Sequence, residues 1–245
     1  MGDQMSSAAA TGPSFPVSQR SKVKRLHERG RYDAATIYPI LDAALLAHIA
    51  YVIDGQPYCT PTAFWREDDR LYWHGSSASR MLRNQATGVP VCVTVAHVDG
   101  LVMARSGFHH SINYRSVMAF GQASMVEAPE AKLAAMNAFV DRFYPGRTRL
   151  MRAPSAQEIK ATTILVMTIE EAAAKVRRGA PVDDEADYAQ PIWAGVLPLS
   201  TVVGPAIPCP RVADGVAPAG DIARYAPGRV FGEILTATHA ELYGA

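Results

Sequence analysis

An alternating β pattern around the dipeptide Asp54-Gly55 constrains the fold more than any other feature of this sequence. The runs AHIAYVI (residues 47–53) and PYCTPTAFW (57–65) flank two residues that tolerate positive φ, which predicts a β-hairpin. Further β segments follow at 70–74, at 89–98 with a return strand beginning after Asp99-Gly100, at 113–125 and at 163–169. Because tight turns join most of them, the sequence predicts a closed antiparallel sheet rather than a doubly wound parallel one.

Helical patterns lie between and after these segments. Asp33 is a candidate N-cap for a helix through Ala43, and Ser79–Gln85 predicts a short helix with Gly88 beyond it. A longer helix is predicted from Pro129 to Pro145-Gly146, a short one near 155–160 and a final one at 231–243. From Ala180 onward Pro and Gly are dense, which favours an extended wrap. We therefore expect a disordered tail at 1–20, one domain at 21–200 and a C-terminal extension at 201–245.

Composition narrows the classes of function. The 24 basic and 23 acidic side chains nearly cancel, which argues against a general nucleic-acid binder. Three scattered cysteines give neither a disulfide framework nor a metal motif and suit a reducing compartment. The sequence contains no apolar run of membrane-helix length, no signal-peptide pattern, no GxGxxG and no P-loop. A cytoplasmic protein without a membrane or nucleic-acid partner is expected.

The stretch RLYWHGSSASR (Arg70–Arg80) predicts a strand that breaks at His74-Gly75 into a Ser-rich turn before a helix. Such a turn directs backbone N–H groups, hydroxyls and a cation toward one point, and a phosphate needs that set of donors. The candidate ligands are Gly75, Ser76, Ser79 and Arg80, with His74 at the start of the turn. In the alternative interpretation, Ser79 only caps the helix and Arg80 faces water.

Four segments, taken in their order and spacing, resemble the FMN-binding split-barrel family, the pyridoxamine 5′-phosphate oxidase-like flavoproteins. They are YDAATIYPILDAALLAHIAYVIDGQPYCTPTAFW (32–65), LYWHGSSASRMLRN (71–84), SINYRSVMAFGQA (111–123) and PIWAGVLPL (191–199). The resemblance covers roughly residues 20 to 200. It implies a mainly β (α+β) fold, an antiparallel split β-barrel with a few flanking helices, and a homodimer with FMN at the subunit interface.

The resemblance also implies a set of cofactor-binding residues. They are Thr60, Pro61, Thr62, Ala63, Phe64, Trp65, Trp73, His74, Gly75, Ser76, Ser79, Arg80, Asn113, Arg115, Ser116 and Trp193. Pro57 and Pro61 independently indicate an irregular or edge strand, which leaves backbone groups available to a ligand. The alternatives are core packing for the aromatic side chains, a rim ion pair for Arg115 and a core cover for Trp193.

The predicted activity is that of an FMN-dependent oxidoreductase acting on a small organic molecule, with NADH or NADPH as candidate reductant. The chain lacks the Arg-x-His segment of true pyridoxamine phosphate oxidases, and its segments are closer to members associated with nitroimidazole resistance. Alternatives are an F420-dependent reductase, a haem-binding split barrel with His109 or His110 as axial ligand, and a flavin carrier or sensor. No metal site is expected, because adjacent histidines of a strand point to opposite faces. The basic segment at 20–31 is either a solvated arm or one that closes over an anionic ligand or a partner subunit.

Overall fold

The computed structural model describes residues 13–218 and 220–244, and one antiparallel sheet dominates them. Its strands are β1 (Gly30–Arg31), β2 (Leu46–Ile53), β3 (Gln56–Glu67), β4 (Arg70–Ser76), β5 (Thr87–Met103), β6 (Ser111–Met125), β7 (Thr162–Thr168), β8 (Glu171–Arg177) and β9 (Gly195–Pro198). The α-helices are α1 (Ala34–Asp42), α2 (Arg80–Gln85), α3 (Pro129–Phe143), α4 (Ala156–Ala161) and α5 (Phe231–Tyr243). Short 3-10 helices lie at His27–Arg29, Arg147–Leu150, Glu185–Ala189 and Gly220–Tyr225.

Six strands close a barrel in the order β5-β2-β3-β4-β7-β6, with β6 returning to β5. One edge of strand β6 pairs with β5, and its other edge pairs with two strands. Residues 114–120 pair with β8, and residues 123–125 pair with β7. Gly121 lies at this branch point, where a Cβ atom would clash with the Thr168 carbonyl oxygen. The architecture confirms the predicted antiparallel split barrel.

Local signals account for several elements. Asp54 and Gly55 have φ values of 50° and 79°, as the hairpin prediction requires. The Asp33 side chain accepts a hydrogen bond of 2.7 Å from the Thr36 backbone and so caps α1. Helix α3 begins at Pro129, and α5 spans the predicted residues 231–243.

Three sequence predictions about strands were wrong or incomplete. Asp99-Gly100 is a β-bulge within a continuous β5, because Asp99 pairs with Arg115 and Gly100 lies against β9, so no return strand begins there. Strand β4 continues through Gly75 and Ser76 because both pair with β7. Strand β8, with the sequence EAAAKVR, was not predicted, since its residues favour helix. It forms because Ala172 and Ala174 are buried in the barrel.

The core has two parts. The barrel interior contains aliphatic and aromatic side chains from its strands together with α1 and α2. A smaller cluster lies between α3 and the outer sheet face, around Trp65, Tyr72 and Ile164. A helix long and apolar enough to cross a membrane does not occur in the described ranges.

A buried polar network fixes α5 to one end of the barrel. The Arg66 guanidinium donates to the Asp42 carboxylate at 2.9 and 2.7 Å and to His239 Nε2 at 2.6 Å. Arg142, which is fully buried, donates to the backbone carbonyls of Asp42 and Ala44. The network therefore joins α1, β3, α3 and α5 at one point.

Both chain ends contain segments that the sequence assigns to a tail or an extension. Residues 13–20, part of the predicted tail, make hydrogen bonds: the Pro13 carbonyl accepts from Ala34, and Ser18 donates to Glu171 on β8. Residues 1–12 of that prediction lie outside the described residues. The extension from 201 runs over the surface before it reaches α5.

Candidate functional site

Strands β3 and β4 separate from each other partway along the hairpin. Their pairing extends from Glu67↔Arg70 to Phe64↔Trp73 and stops there. Beyond this point β3 pairs with β2 alone, whereas Gly75 and Ser76 of β4 pair with β7. The separation leaves one edge of β3, from Pro57 to Pro61, without a neighbouring strand. We call this the open edge.

The register of the hairpin determines which backbone groups point to the open edge. Ile53↔Gln56 closes a two-residue hairpin, so even-numbered residues of β3 exchange hydrogen bonds with β2. Odd-numbered residues therefore direct their backbone groups outward. Pro57 and Pro61 occupy odd positions, where the missing proline N–H removes no hydrogen bond between β3 and β2. The open edge offers the Cys59 N–H and the carbonyls of Pro57, Cys59 and Pro61, which suits the polar rim of a flat ring.

The Ser76–Arg80 turn lies beside this edge. The Arg80 guanidinium is over the Tyr58 ring of β3, at 4.8 Å from its centroid, so this side chain crosses the gap between β3 and the turn. Ser79 caps α2, accepting from the Leu82 backbone, and Ser76 Oγ accepts from Ala78. Both hydroxyls can still donate. The predicted phosphate residues and the open edge are thus brought together in one chain.

The turn differs from the predicted phosphate loop in its backbone. The N–H groups of Ser77, Ala78 and Ser79 already bond to Ala161 and Ser76. Helix α2 has six residues, so its dipole contributes little. An anion at the turn would rely on Arg80, the serine hydroxyls and the N–H groups of Arg80 and Met81.

Three aromatic residues predicted to line the cofactor are core residues in this structure. Phe64 and Trp73 are fully buried inside the barrel, and Trp73 donates to Gln85 Oε1 at 2.9 Å. Trp65 is buried under α3, stacked on Tyr72 with a centroid distance of 5.3 Å. Their side chains stabilise the strands that carry the site. The accessible residues of the predicted β3 segment are Thr60, Pro61, Thr62 and Ala63.

His74 lies on the outer face of β4 beside the turn. Its ring packs edge-on against Phe139, with a centroid distance of 4.4 Å, and near Trp65. Burial lowers its pKa, so the imidazole is neutral at pH 7. Its Nδ1 atom is buried and has no hydrogen-bond partner within the described residues. A neutral imidazole with an unpartnered nitrogen can bind a metal or donate to a cofactor.

Asn113, Arg115, Ser116 and Trp193 form a second group at the other end of β6. Asn113 is buried and donates to the Gly179 carbonyl, and it accepts from Arg177. Arg115 makes a bidentate pair with Asp99 at 2.8 and 2.9 Å, which raises its pKa. Trp193 is 64% exposed and lies over Gly195 on β9.

Two strands separate the two groups on the outer face of the sheet. Pro61 of the open edge is aligned, through His48 of β2 and Thr94 of β5, with Met118, which lies two residues along β6 from Ser116.

The turn between β5 and β6 contains the adjacent histidines. His110 Nδ1 lies 2.8 Å from the Ser106 carbonyl oxygen, which leaves Nε2 directed away from that contact. His109 Nε2 lies 3.5 Å from Asp184, and the neighbouring Phe108 is 92% exposed. Across residues 13–218 and 220–244, no cluster of three or more His, Cys, Asp and Glu side chains could hold a metal ion.

A basic cavity of about 530 Å³ lies between α1 and the β1–β8–β6 edge. Its lining residues are Arg31, Ala35, Thr36, Pro39, Ile40, Arg115, Val176 and Arg178. Only Arg115 was predicted as a site residue. The charge run at 20–31 signalled a basic surface, but the contribution of Arg178 depends on β8, which the sequence did not predict.

A family model and the similar solved structures were compared with this chain. The sequence model of the pyridoxamine 5′-phosphate oxidase family matches residues 33–176. The flavocytochrome Anf3 from Azotobacter vinelandii is 44% identical, with a TM-score of 0.82 over 88% of this chain and 100% of that chain. An FAD and haem binding protein from Mycobacterium smegmatis is 37% identical, with a TM-score of 0.78 over 81% of this chain and 98% of that one.

A more distant structure shares the fold alone. A Bacteroides thetaiotaomicron protein assigned to 5-nitroimidazole antibiotic resistance is 20% identical, with a TM-score of 0.50 over 60% of this chain and 86% of that one. Among curated proteins, none matches the chain.

Proposed function

The chain belongs to the pyridoxamine 5′-phosphate oxidase family, and on that premise we propose that it binds a flavin nucleotide and a haem and passes electrons between them. The open edge of β3 beside Arg80 carries the flavin part of this proposal. The haem part is supported by two relatives that match over most of this chain and whose names state a flavocytochrome and an FAD and haem binding protein.

The flavin mononucleotide unit, free as FMN or within FAD, fits the first group of residues. Arg80 would neutralise its phosphate with the Ser76 and Ser79 hydroxyls, and the Cys59 N–H and odd-numbered carbonyls of β3 would hydrogen-bond the ring edge. When bound, the flavin supplies one- and two-electron transfer and the haem iron supplies one-electron transfer. The chain's own residues hold, orient and desolvate these groups.

Two histidines have the chemistry of an axial ligand. His74 combines a neutral ring, a buried unpartnered nitrogen and aromatic neighbours, and it lies next to the flavin turn. His110 has its Nδ1 engaged by a carbonyl, an arrangement that leaves Nε2 available to a metal. We favour His74, because a ligand beside the flavin keeps the electron-transfer distance short.

A homodimer completes the proposed site. The outer face of β3, β2, β5 and β6 shows the aligned rows Pro61–His48–Thr94–Met118 and Cys59–Ala50–Cys92–Phe120. This face carries few charges and contains exposed apolar side chains, among them Met118 and Val52. A twofold contact on it is isologous, so Ser116 of each chain would approach the open edge of the other.

The first test is the visible spectrum of the purified protein, with mass spectrometry of whatever heat releases. Flavin bands together with a Soret band support the proposal. Flavin bands alone refute the haem part, and a colourless protein that takes up neither cofactor refutes both. In His74→Ala the Soret band should shift or vanish while flavin absorbance persists, with His110→Ala unchanged. The reverse pattern would move the ligand to the β5–β6 turn.

A further inference from the structure

The basic cavity between α1 and the β1–β8–β6 edge has no assigned role, and its charge is not balanced by the protein. Arg115 is neutralised by Asp99. Arg31 donates only to the backbone carbonyls of Glu28 and Gly30, both at 2.7 Å. Neither Arg31 nor Arg178 has a carboxylate within ion-pair distance in residues 13–218 and 220–244. Arg31 and Arg178 are exposed at the rim of the cavity, and no carboxylate of the described residues pairs with either guanidinium.

The opposite wall of the cavity has different chemistry. Helix α1 presents Ala35, Pro39 and Ile40, with the Thr36 hydroxyl among them, and Val176 closes the side. A volume of about 530 Å³ lies in the range of small-molecule sites. The cavity thus has a cationic wall that suits a ligand with two negative charges. Its other wall is apolar with one hydroxyl, which suits the base and the sugar of a nucleotide.

We propose that this cavity binds the ADP moiety of a dinucleotide, with the pyrophosphate between Arg31 and Arg178. The pyrophosphate diester carries two negative charges, matching the two free arginines, and bidentate guanidinium contacts suit its oxygens. The source of this moiety is the reductant NADH or NADPH, because one of the two pyrophosphate phosphates of FAD is the FMN phosphate, which the proposed function places at Arg80. The inference rests on the proposed flavin function, because a flavin that passes electrons on needs a reductant such as NADH or NADPH.

The test is calorimetric titration of the full-length protein with ADP, before and after removal of bound flavin. ADP should bind, and the double variant Arg31→Ala/Arg178→Ala should weaken it at least tenfold, because each lost charge-assisted contact costs about a factor of ten or more. Arg149→Ala, which removes an exposed cation outside the cavity, is the matched control and should bind ADP normally. Absence of ADP binding, or equal affinity in the double variant, overturns the proposal.

Two further measurements test the assignment to the reductant. The double variant should keep its affinity for FMN and FAD, and its KM for NADH or NADPH should rise. Loss of FAD affinity with unchanged FMN affinity would overturn the assignment to the reductant. A protein that binds ADP through these arginines but no flavin would refute the proposed function while leaving the cavity assignment standing.

Discussion

Replacing Asp42 by Asn should destabilise the protein more than any exposed ion-pair change. Asp42 is the only carboxylate within ion-pair distance of Arg66 in the described residues, and the two side chains are 7% and 5% exposed. Asn keeps the size of the side chain and can accept one hydrogen bond, so the substitution removes mainly the charge. It leaves the Arg66 guanidinium buried with no carboxylate of the described residues within ion-pair distance.

The size of the expected loss of stability follows from the burial of the Arg66–Asp42 ion pair. Removing one partner of a buried ion pair costs about 3–5 kcal/mol, because the other charge stays desolvated and uncompensated. For a chain of 245 residues, about 2 °C of melting temperature corresponds to 1 kcal/mol. We therefore expect the melting temperature of Asp42→Asn to fall by about 6 to 10 °C.

The matched control is Glu158→Gln. Glu158 pairs with Arg152 at 2.6 and 2.8 Å, the same bidentate geometry as Asp42–Arg66, but the two side chains are 45% and 73% exposed. An exposed pair of this kind contributes at most about 1 kcal/mol. Scanning calorimetry and urea unfolding of both variants measure the difference.

The refuting result is equal destabilisation of the two variants. If Asp42→Asn also lost less than about 1 kcal/mol, the network would not hold a desolvated charge, and the end of the barrel would be open to water. Loss of α5 alone, seen as rapid hydrogen exchange confined to residues 231–243, would show instead that the network docks the helix without stabilising the barrel.

Three other predictions test the site and its surroundings. Arg80→Ala should weaken flavin binding about 10- to 100-fold by fluorescence titration, whereas Arg83→Ala, on the same short helix, should leave it unchanged; equal effects would remove Arg80 from the phosphate site. Met118→Glu places a charge on the proposed dimer face, so a protein that sediments as a dimer should become monomeric and lose flavin; an unchanged dimer would relocate the interface. His239 has its pKa lowered to about 4 by burial, so the unfolded chain takes up the proton first as the pH falls. His239 should contribute up to about 3 kcal/mol of the stability that is lost between about pH 6.5 and pH 4, and His239→Gln should remove that part of the pH dependence.

The sequence predicted those parts of the fold that depend on neighbouring residues. The hairpin at Asp54-Gly55, the Asp33 cap and the long strand β6 follow from local turn and alternation rules. Asp99-Gly100 carries the same local signal as Asp54-Gly55, yet it forms a bulge. The difference comes from β9 and Arg115, which are distant in sequence and fix β5 in an extended conformation.

The candidate site was predictable only in part, for the same reason. The turn at Ser76–Arg80 could be found from its residue types, and the odd-numbered prolines of β3 indicated an open edge. The burial of Trp73 could not be foreseen, because it depends on Gln85 reaching back from α2. The network of Asp42, Arg66, Arg142 and His239 joins residues from four separate elements, and no local pattern links them.

The open edge of β3 also bears on how the chain avoids aggregation. Before a cofactor binds, an unpaired strand edge is a template for another chain to add a strand. Pro57 and Pro61 both lie at outward-pointing positions, so two of the donors that an incoming strand would need are missing. A ligand with a short polar rim can use the remaining groups, whereas a continuous intermolecular ladder cannot form. The two prolines thus allow the apoprotein to keep a receptive edge without polymerising through it.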